Sequence, residues 1–238
     1  MKFKFILYVF LITTALNAQE HNRYYWGLNF SPDLCGRTLK NTTDHDYIDQ
    51  LILSRNESEI NRLGFSSGIV LGRTINEKFS IETCLSFSSK GYKTKPIALR
   101  FGNQVSPDST IVDLNNTIQI KYIHQFIELP IVCHYNIEIN EDLKSFIGLG
   151  FNNQFAVTSY QKFIPSGKKS KEYLSSGKEN KYIPGINLSF GINKQLNSRY
   201  LLRLNFISKY SLKPIYTTPL EGYLWSFGFN TGIYMSIN

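Results

Sequence analysis

Leu63-Gly64-Phe65-Ser66-Ser67-Gly68-Ile69-Val70-Leu71-Gly72-Arg73-Thr74-Ile75, then Asn76-Glu77-Lys78, then Phe79-Ser80-Ile81-Glu82-Thr83-Cys84-Leu85-Ser86-Phe87-Ser88-Ser89-Lys90-Gly91-Tyr92 is the stretch whose reading decides the fold. Apolar and small polar residues alternate on both sides of a three-residue turn. Side chains on a strand point alternately to opposite faces, so this is a hairpin. Phe65, Ile69, Leu71, Phe79, Ile81, Leu85 and Phe87 share one face. Gly64, Ser66, Gly68, Gly72, Ser80, Glu82, Cys84, Ser86, Ser88 and Lys90 share the other.

The same alternation recurs outward from this hairpin and predicts eight strands, at about 24–31, 63–75, 79–92, 119–136, 145–158, 182–193, 200–212 and 223–237. The connections 76–78, 137–144 and 194–199 are short. The connections 32–62, 93–118, 159–181 and 213–222 are mostly long and polar, and residues 46–60 are a candidate for a short helix. Strict alternation of long and short connections is the pattern of outer-membrane barrels, with long loops outside and short periplasmic turns. An even strand number leaves both termini on the periplasmic side. The polar face is Gly, Ser and Asn with few charges, which suits a tight lumen better than a solvated surface. The fold expected is therefore all-β, an eight-stranded antiparallel up-and-down transmembrane β-barrel, rather than a soluble sandwich with an apolar interior.

Composition agrees. The 238 residues are 42% hydrophobic, 14% aromatic and 18% charged, with 15 Tyr and 17 Phe. Charge is low for a solvated surface, and aromatics favour strands and membrane interfaces. Met1-Lys2-Phe3-Lys4, the apolar run Phe5–Leu16 and Ala18 read as a secretory signal peptide, with cleavage expected between Ala18 and Gln19. The expected division is thus 1–18 signal peptide and 19–238 barrel domain. No other run of roughly 18 apolar residues exists to form a helical span. The net charge of +8 suits an anionic membrane surface, and export argues against nucleic acid.

Three cysteines in an exported chain leave at least one free thiol. Cys84 and Cys133 fall on opposite faces, which disfavours a bridge between them. Glu128, Glu82, Lys90 and Arg203 all fall on the expected lumen face, where they are read as a salt-bridge network rather than as an acid–base pair. His124 and His134 share a face but lie about 33 Å apart along the strand, too far to hold one metal. His21 and His45 lie near the leader and in the first loop. Lys162, Lys168, Lys169, Lys171, Lys178 and Lys181 crowd the third long loop against Glu172 and Glu179, a solvated run or a contact for lipid phosphates and anionic sugars. No catalytic, cofactor-binding or metal residue is expected, and no cofactor.

Gly64–Gly68, Asn76–Ile81 and Ser88–Tyr92, together with Ile127-Glu128-Leu129-Pro130 inside 122–135, resemble the PorT-like outer-membrane β-barrel family of Gram-negative bacteria. The resemblance spans about 24–238. It implies an eight-stranded barrel with a plugged or narrow lumen and, for most members, no known activity. The founding member belongs to a secretion apparatus. The family often carries a Glu where this chain has Cys84, and Glu82 on the same face is the expected substitute. Its last strand usually ends in an aromatic residue, whereas this chain ends Met235-Ser236-Ile237-Asn238.

The function expected is a structural or binding role through long extracellular loops, in the cell outer membrane and without catalysis. The alternatives are an outer-membrane lipid-modifying enzyme and a narrow pore. The partners expected are outer-membrane lipid and lipopolysaccharide, with a protein or glycan at the loops as a further candidate, no nucleic acid, and a monomeric state.

Overall fold

The computed structural model describes residues 23–98, 117–165, 170–173 and 179–237. The expected leader with His21, most of the second long loop, and Lys168, Lys169 and Lys178 lie outside the described residues. The elements are β1 (Arg23–Asn41), α1 (Asp46–Ser58), β2 (Glu59–Thr74), β3 (Phe79–Thr94), β4 (Ile97–Ala98), β5 (Thr117–Glu138), β6 (Leu143–Pro165), β7 (Ser170–Tyr173), β8 (Tyr182–Gln195), β9 (Tyr200–Ser211) and β10 (Leu220–Ile237). Eight long strands close a ring in the order β1-β2-β3-β5-β6-β8-β9-β10, every neighbour antiparallel, with β10 pairing back to β1. β4 and β7 are short additions to β5 and β6.

The ring is polar inside and apolar outside. Among the described residues, 24 buried positions are polar or charged against 13 that are apolar. Leu28, Ile69, Leu85, Leu149, Leu188 and Ile233 stand exposed on the outer wall. A soluble fold would reverse this, so the outer wall faces lipid. Aromatic residues ring both ends of that wall. Phe79 and Tyr135 meet at 5.3 Å near the short turns, and Phe155 meets Tyr182 at 5.5 Å near the long loops.

The three short turns share one construction. Asn76, Asn140 and Asn197 each accept, through the side-chain oxygen, from the backbone N–H groups two and three residues on, at 2.8–3.1 Å. In each, the N–H of this Asn and that of the apolar residue before it (Ile75, Ile139, Leu196) converge on the carbonyl of the first residue of the next strand. The last turn residue then accepts from the neighbouring strand: Lys78 from Asn136, Asp142 from Gln195, Arg199 from Ser236. Asn side chains close turns in this way by mimicking a backbone carbonyl.

Several strand ends differ from the sequence expectation, β6 among them, which runs to Pro165 rather than 158. β1 continues to Asn41 rather than stopping near Ser31, and β2 begins at Glu59 rather than 63. The expected end falls just before Pro32, a residue with no N–H to give to a ladder. The β1–β10 ladder skips Ser31 and Pro32 but resumes at Asp33↔Gly228 without a change of register, so the strand tolerates it. Asp33 then turns inward against Gly228, where a Cβ would collide with its carboxylate. The helix anticipated over 46–60 is present as α1. In β6 a bulge at Val157 leaves Gln125 opposite Thr158 and Phe126 opposite Ala156. The inward face therefore passes from even to odd residues, and Ser159 points inward.

Leu149 is 65% exposed on the lipid face of β6, while Asn152 is fully buried inside. Leu149→Arg is expected to destabilise the barrel by roughly 2–4 kcal/mol, the cost of Arg in mid-bilayer, and to lower folding yield in lipid vesicles more than Asn152→Arg does. Equal yields for Leu149→Arg and the unmodified chain would reverse the assignment of faces.

Candidate functional site

The lumen holds the chain's charged chemistry, stacked in layers. Nearest the short turns, Arg203 pairs with Glu82, which also accepts from the Tyr25 hydroxyl at 3.1 Å. Arg203 Nε donates to Asn193 at 2.8 Å, and the guanidinium lies 4.4 Å over the Tyr234 ring and 4.9 Å over Phe146. Above it, Glu128 is completely buried between two lysines. Lys90 reaches Oε1 at 2.7 Å and Lys209 reaches Oε2 at 2.9 Å. Ser88 and Asn152 also donate to this carboxylate, and Lys90 donates to Gln154, which donates to Ser211. Asp33, buried and accepting from Ser31, balances the second lysine. The Glu128 carboxylate, taken out of water, is held because both its oxygens are satisfied in this way, while Asp33 has a hydrogen-bond partner at one oxygen alone among the described residues.

Four apolar side chains cap the charges toward the long loops: Phe126, Ile183, Leu224 and Ile215. Ile215 comes from the β9–β10 connection. Its N–H donates to Gly222 at 3.0 Å and its carbonyl accepts from Asn180 at 2.8 Å, which folds that connection into the barrel mouth. Beside this lid, His124 and Ser159 meet at 2.8 Å, and Ser159 donates to Glu179. The hydroxyl has one proton and gives it to Glu179, so His124 Nδ1–H must be the donor to Ser159. A serine nucleophile needs the opposite, an imidazole accepting from the hydroxyl. The trio is thus wired as a hydrogen-bond chain. Next to it, burial and the Glu179 carboxylate push the Tyr216 phenol up to about 12. At the outermost rim Arg37 grips Glu59 through two nitrogens and lies 3.8 Å over Tyr92, which stacks on Tyr122.

Two spaces remain. A chamber of about 50 Å³ separates the ion layers, bordered by Glu82, His134, Asn187 and Lys209. A cavity of about 370 Å³ opens at the turn end and stops at Arg203 and Tyr234. No cluster of three or more potential metal ligands occurs among the described residues.

Glu82, Glu128, Lys90 and Arg203 all point inward as read from the sequence, but they form two clusters rather than one network. Lys209 and Asp33 were not anticipated from the sequence, whereas Gln154 falls on the polar face of its strand as expected. Lys209 had a legible signal, since it shares parity with Arg203 and Asn205 on one strand. His124 and His134 sit on the inner face, apart, His134 stacking near Phe146 at 4.9 Å. Cys84 is buried and Cys133 exposed, on opposite faces as expected, and all three thiols are free. Glu82 points inward and pairs with Arg203, on the same face as Cys84. His45 precedes α1 and stacks on Tyr47. Lys181, exposed, pairs with the largely buried Glu179 at 3.4 Å.

A closed eight-strand ring, apolar outside and charged inside, agrees with the sequence pattern that the chain matches over residues 17–217, that of the outer membrane protein beta-barrel domain. The chain belongs to that family. Its place is the cell outer membrane. The sequence matches no curated protein. Among solved structures, this barrel is similar to Neisserial surface protein A (12% identity, 89% of this chain and 96% of that one, TM-score 0.45). It is also similar to OprG from Pseudomonas aeruginosa (9%, 93% and 99%, 0.44) and to the outer membrane protease OmpT from Escherichia coli (6%, 92% and 97%, 0.42). At these identities the likeness is one of architecture, and no role of theirs is carried over.

Glu128 is the keystone of the upper ion layer. Glu128→Ala is expected to destabilise the outer membrane barrel by about 3–5 kcal/mol, because two buried lysines lose their direct partner and are left with Asp33 alone as counter-charge. Replacing Glu128, Lys90 and Lys209 together by Leu or Met is expected to recover most of that loss. Urea unfolding in lipid vesicles measures both, and a silent Glu128→Ala would dissolve the layered account.

Proposed function

We propose that this outer membrane barrel is a sealed binding platform, neither pore nor enzyme, whose working surface is the rim at the long-loop end. The observation that carries this reading is the filled lumen: two ion layers and the Ile215 lid stand across it. A conducting barrel needs a continuous water path, and eight strands leave little room beside side chains. Strands β5 and β6 meanwhile run on past the aromatic girdle, from Phe155 to Pro165 in β6. The rim carries α1 with Tyr47 and Leu53 exposed. The lysines of the β6–β8 connection, beside Lys162 and Lys181, suit lipopolysaccharide phosphates or an anionic glycan. A PorT-like affiliation, a cleaved signal peptide, a Gram-negative source and a monomeric state belong to the same reading.

The expected results are specific. Planar-bilayer recordings give no channel steps, and lipid A mass spectra are the same with and without the protein. A tag within 166–178 is reachable on intact cells and one at Glu77 is not. Lys162, Lys168, Lys169 and Lys181 changed together to Glu reduce the lipopolysaccharide retained by the purified barrel, more at low salt than at high. Channel steps, altered lipid A or undiminished retention would each reject the corresponding part.

A further inference from the structure

We propose that the cavity at the turn end of the lumen is a second binding site, built for a short zwitterionic peptide with a free ammonium and a free carboxylate. Its volume of about 370 Å³ lies in the range of small-molecule sites. It is blind: the Arg203 layer closes its floor, so a ligand entering from the turn end cannot pass through.

The charges around it are unevenly shared between the walls: the acid-rich β5–β6 hairpin also carries Lys144 opposite Glu138, and Glu77 lies on the β2–β3 turn. Glu138, Glu141 and Asp142 come from the β5–β6 hairpin. Arg23 comes from the start of β1, Arg199 from the β8–β9 turn, and Arg203 from β9 beneath them. In the ring β9, β10 and β1 are consecutive, with β5 and β6 across the lumen from β10 and β1. Among the described residues no ion pair joins Arg23 or Arg199 to the three acids. The two walls therefore face each other with their charges unspent on one another.

The floor supplies donors. A guanidinium has five N–H groups, and the named partners of Arg203 occupy only Nε and Nη1, through Asn193 and Glu82. Tyr234 beside it is 2% exposed, and its hydroxyl has no partner. Arg favours planar carboxylates. The lining holds four cations and four carboxylates, counting Lys144 and Glu77. A purely anionic or purely cationic ligand would meet repulsion from one wall, whereas a zwitterion lying across the cavity satisfies both. Its carboxylate faces Arg199 and Arg203, and its ammonium faces Glu141 and Asp142.

The test is titration of the full barrel in nanodiscs with trialanine, N-acetyl-trialanine and trialanine amide, followed by calorimetry. Trialanine is expected to bind saturably, and capping either end to weaken binding about fivefold, the weight of a half-exposed ion pair. Glu141→Gln with Asp142→Asn should abolish the preference for the free over the acetylated peptide. Arg199→Gln should abolish the preference for the free over the amidated one. All three positions are exposed, and heat-modifiable migration on gels confirms that each variant folds. No saturable binding, equal binding of the three peptides, or preferences untouched by these variants would overturn the proposal. Because the variants alter turn-end residues alone, the preferences they abolish are separate from binding at the rim.

Discussion

Hydrocarbon offers no hydrogen bonds, so every backbone N–H and C=O that meets lipid must be satisfied within the chain. For strands the solution is closure, and here β10 returns to β1 with no free edge in the ring. The rest of the molecule follows from that constraint. Closing at eight strands makes the interior so narrow that side chains fill it. The outer face is given to lipid, so the polar half of each strand has nowhere to go but inward. A lumen packed with polar groups and cut off from water must then balance its charges within itself. The Glu82–Arg203 and Lys90–Glu128–Lys209 layers are how it does so.

The same closure explains the economy of the turn end. Three hairpins of one design, each an apolar residue, an Asn and three more positions to the next strand, knit the ring where it leaves the membrane. The Asn side chain replaces a backbone acceptor, and the last turn carbonyl is handed to the neighbouring strand. Each turn therefore joins three strands rather than two. The opposite end is built differently, from extended strands, α1 and an inserted Ile215, and carries the variety that a recognition surface requires.

On the proposed reading, a sealed lumen has a functional consequence. With no path through, the two ends are chemically separate surfaces on one rigid wall. One is a rim with aromatic and basic groups at the long-loop end. The other is the cavity at the turn end, lined by both acids and arginines. Rigid walls position such groups without an ordering penalty at each encounter, which suits a barrel to hold two different partners on opposite sides of a membrane.

Parity was legible in the sequence because it is local. Alternation of Leu, Ile and Phe with Gly, Ser and Asn determined the strand count, the outward and inward faces, the long and short connections, and the inward placement of Glu82, Lys90, Glu128 and Arg203. The Asn of each short turn was also there to be read. Which inward charges meet was not legible, because that depends on the stagger of strands around the closed ring. Lys209 and Glu128 are 81 residues apart in the chain, and only closure brings them within a hydrogen bond. Glu82 and Glu128 have the same parity, yet they sit in separate layers because height along the barrel is fixed by register. The first strand runs on past Pro32, since its missing donor falls where the ladder skips a pair. Ser159 reaches His124 only because the bulge at Val157 shifts the inward face by one residue. The lid comes from a connection with no periodicity at all, and Ile215 acquires its place from the barrel mouth it fills.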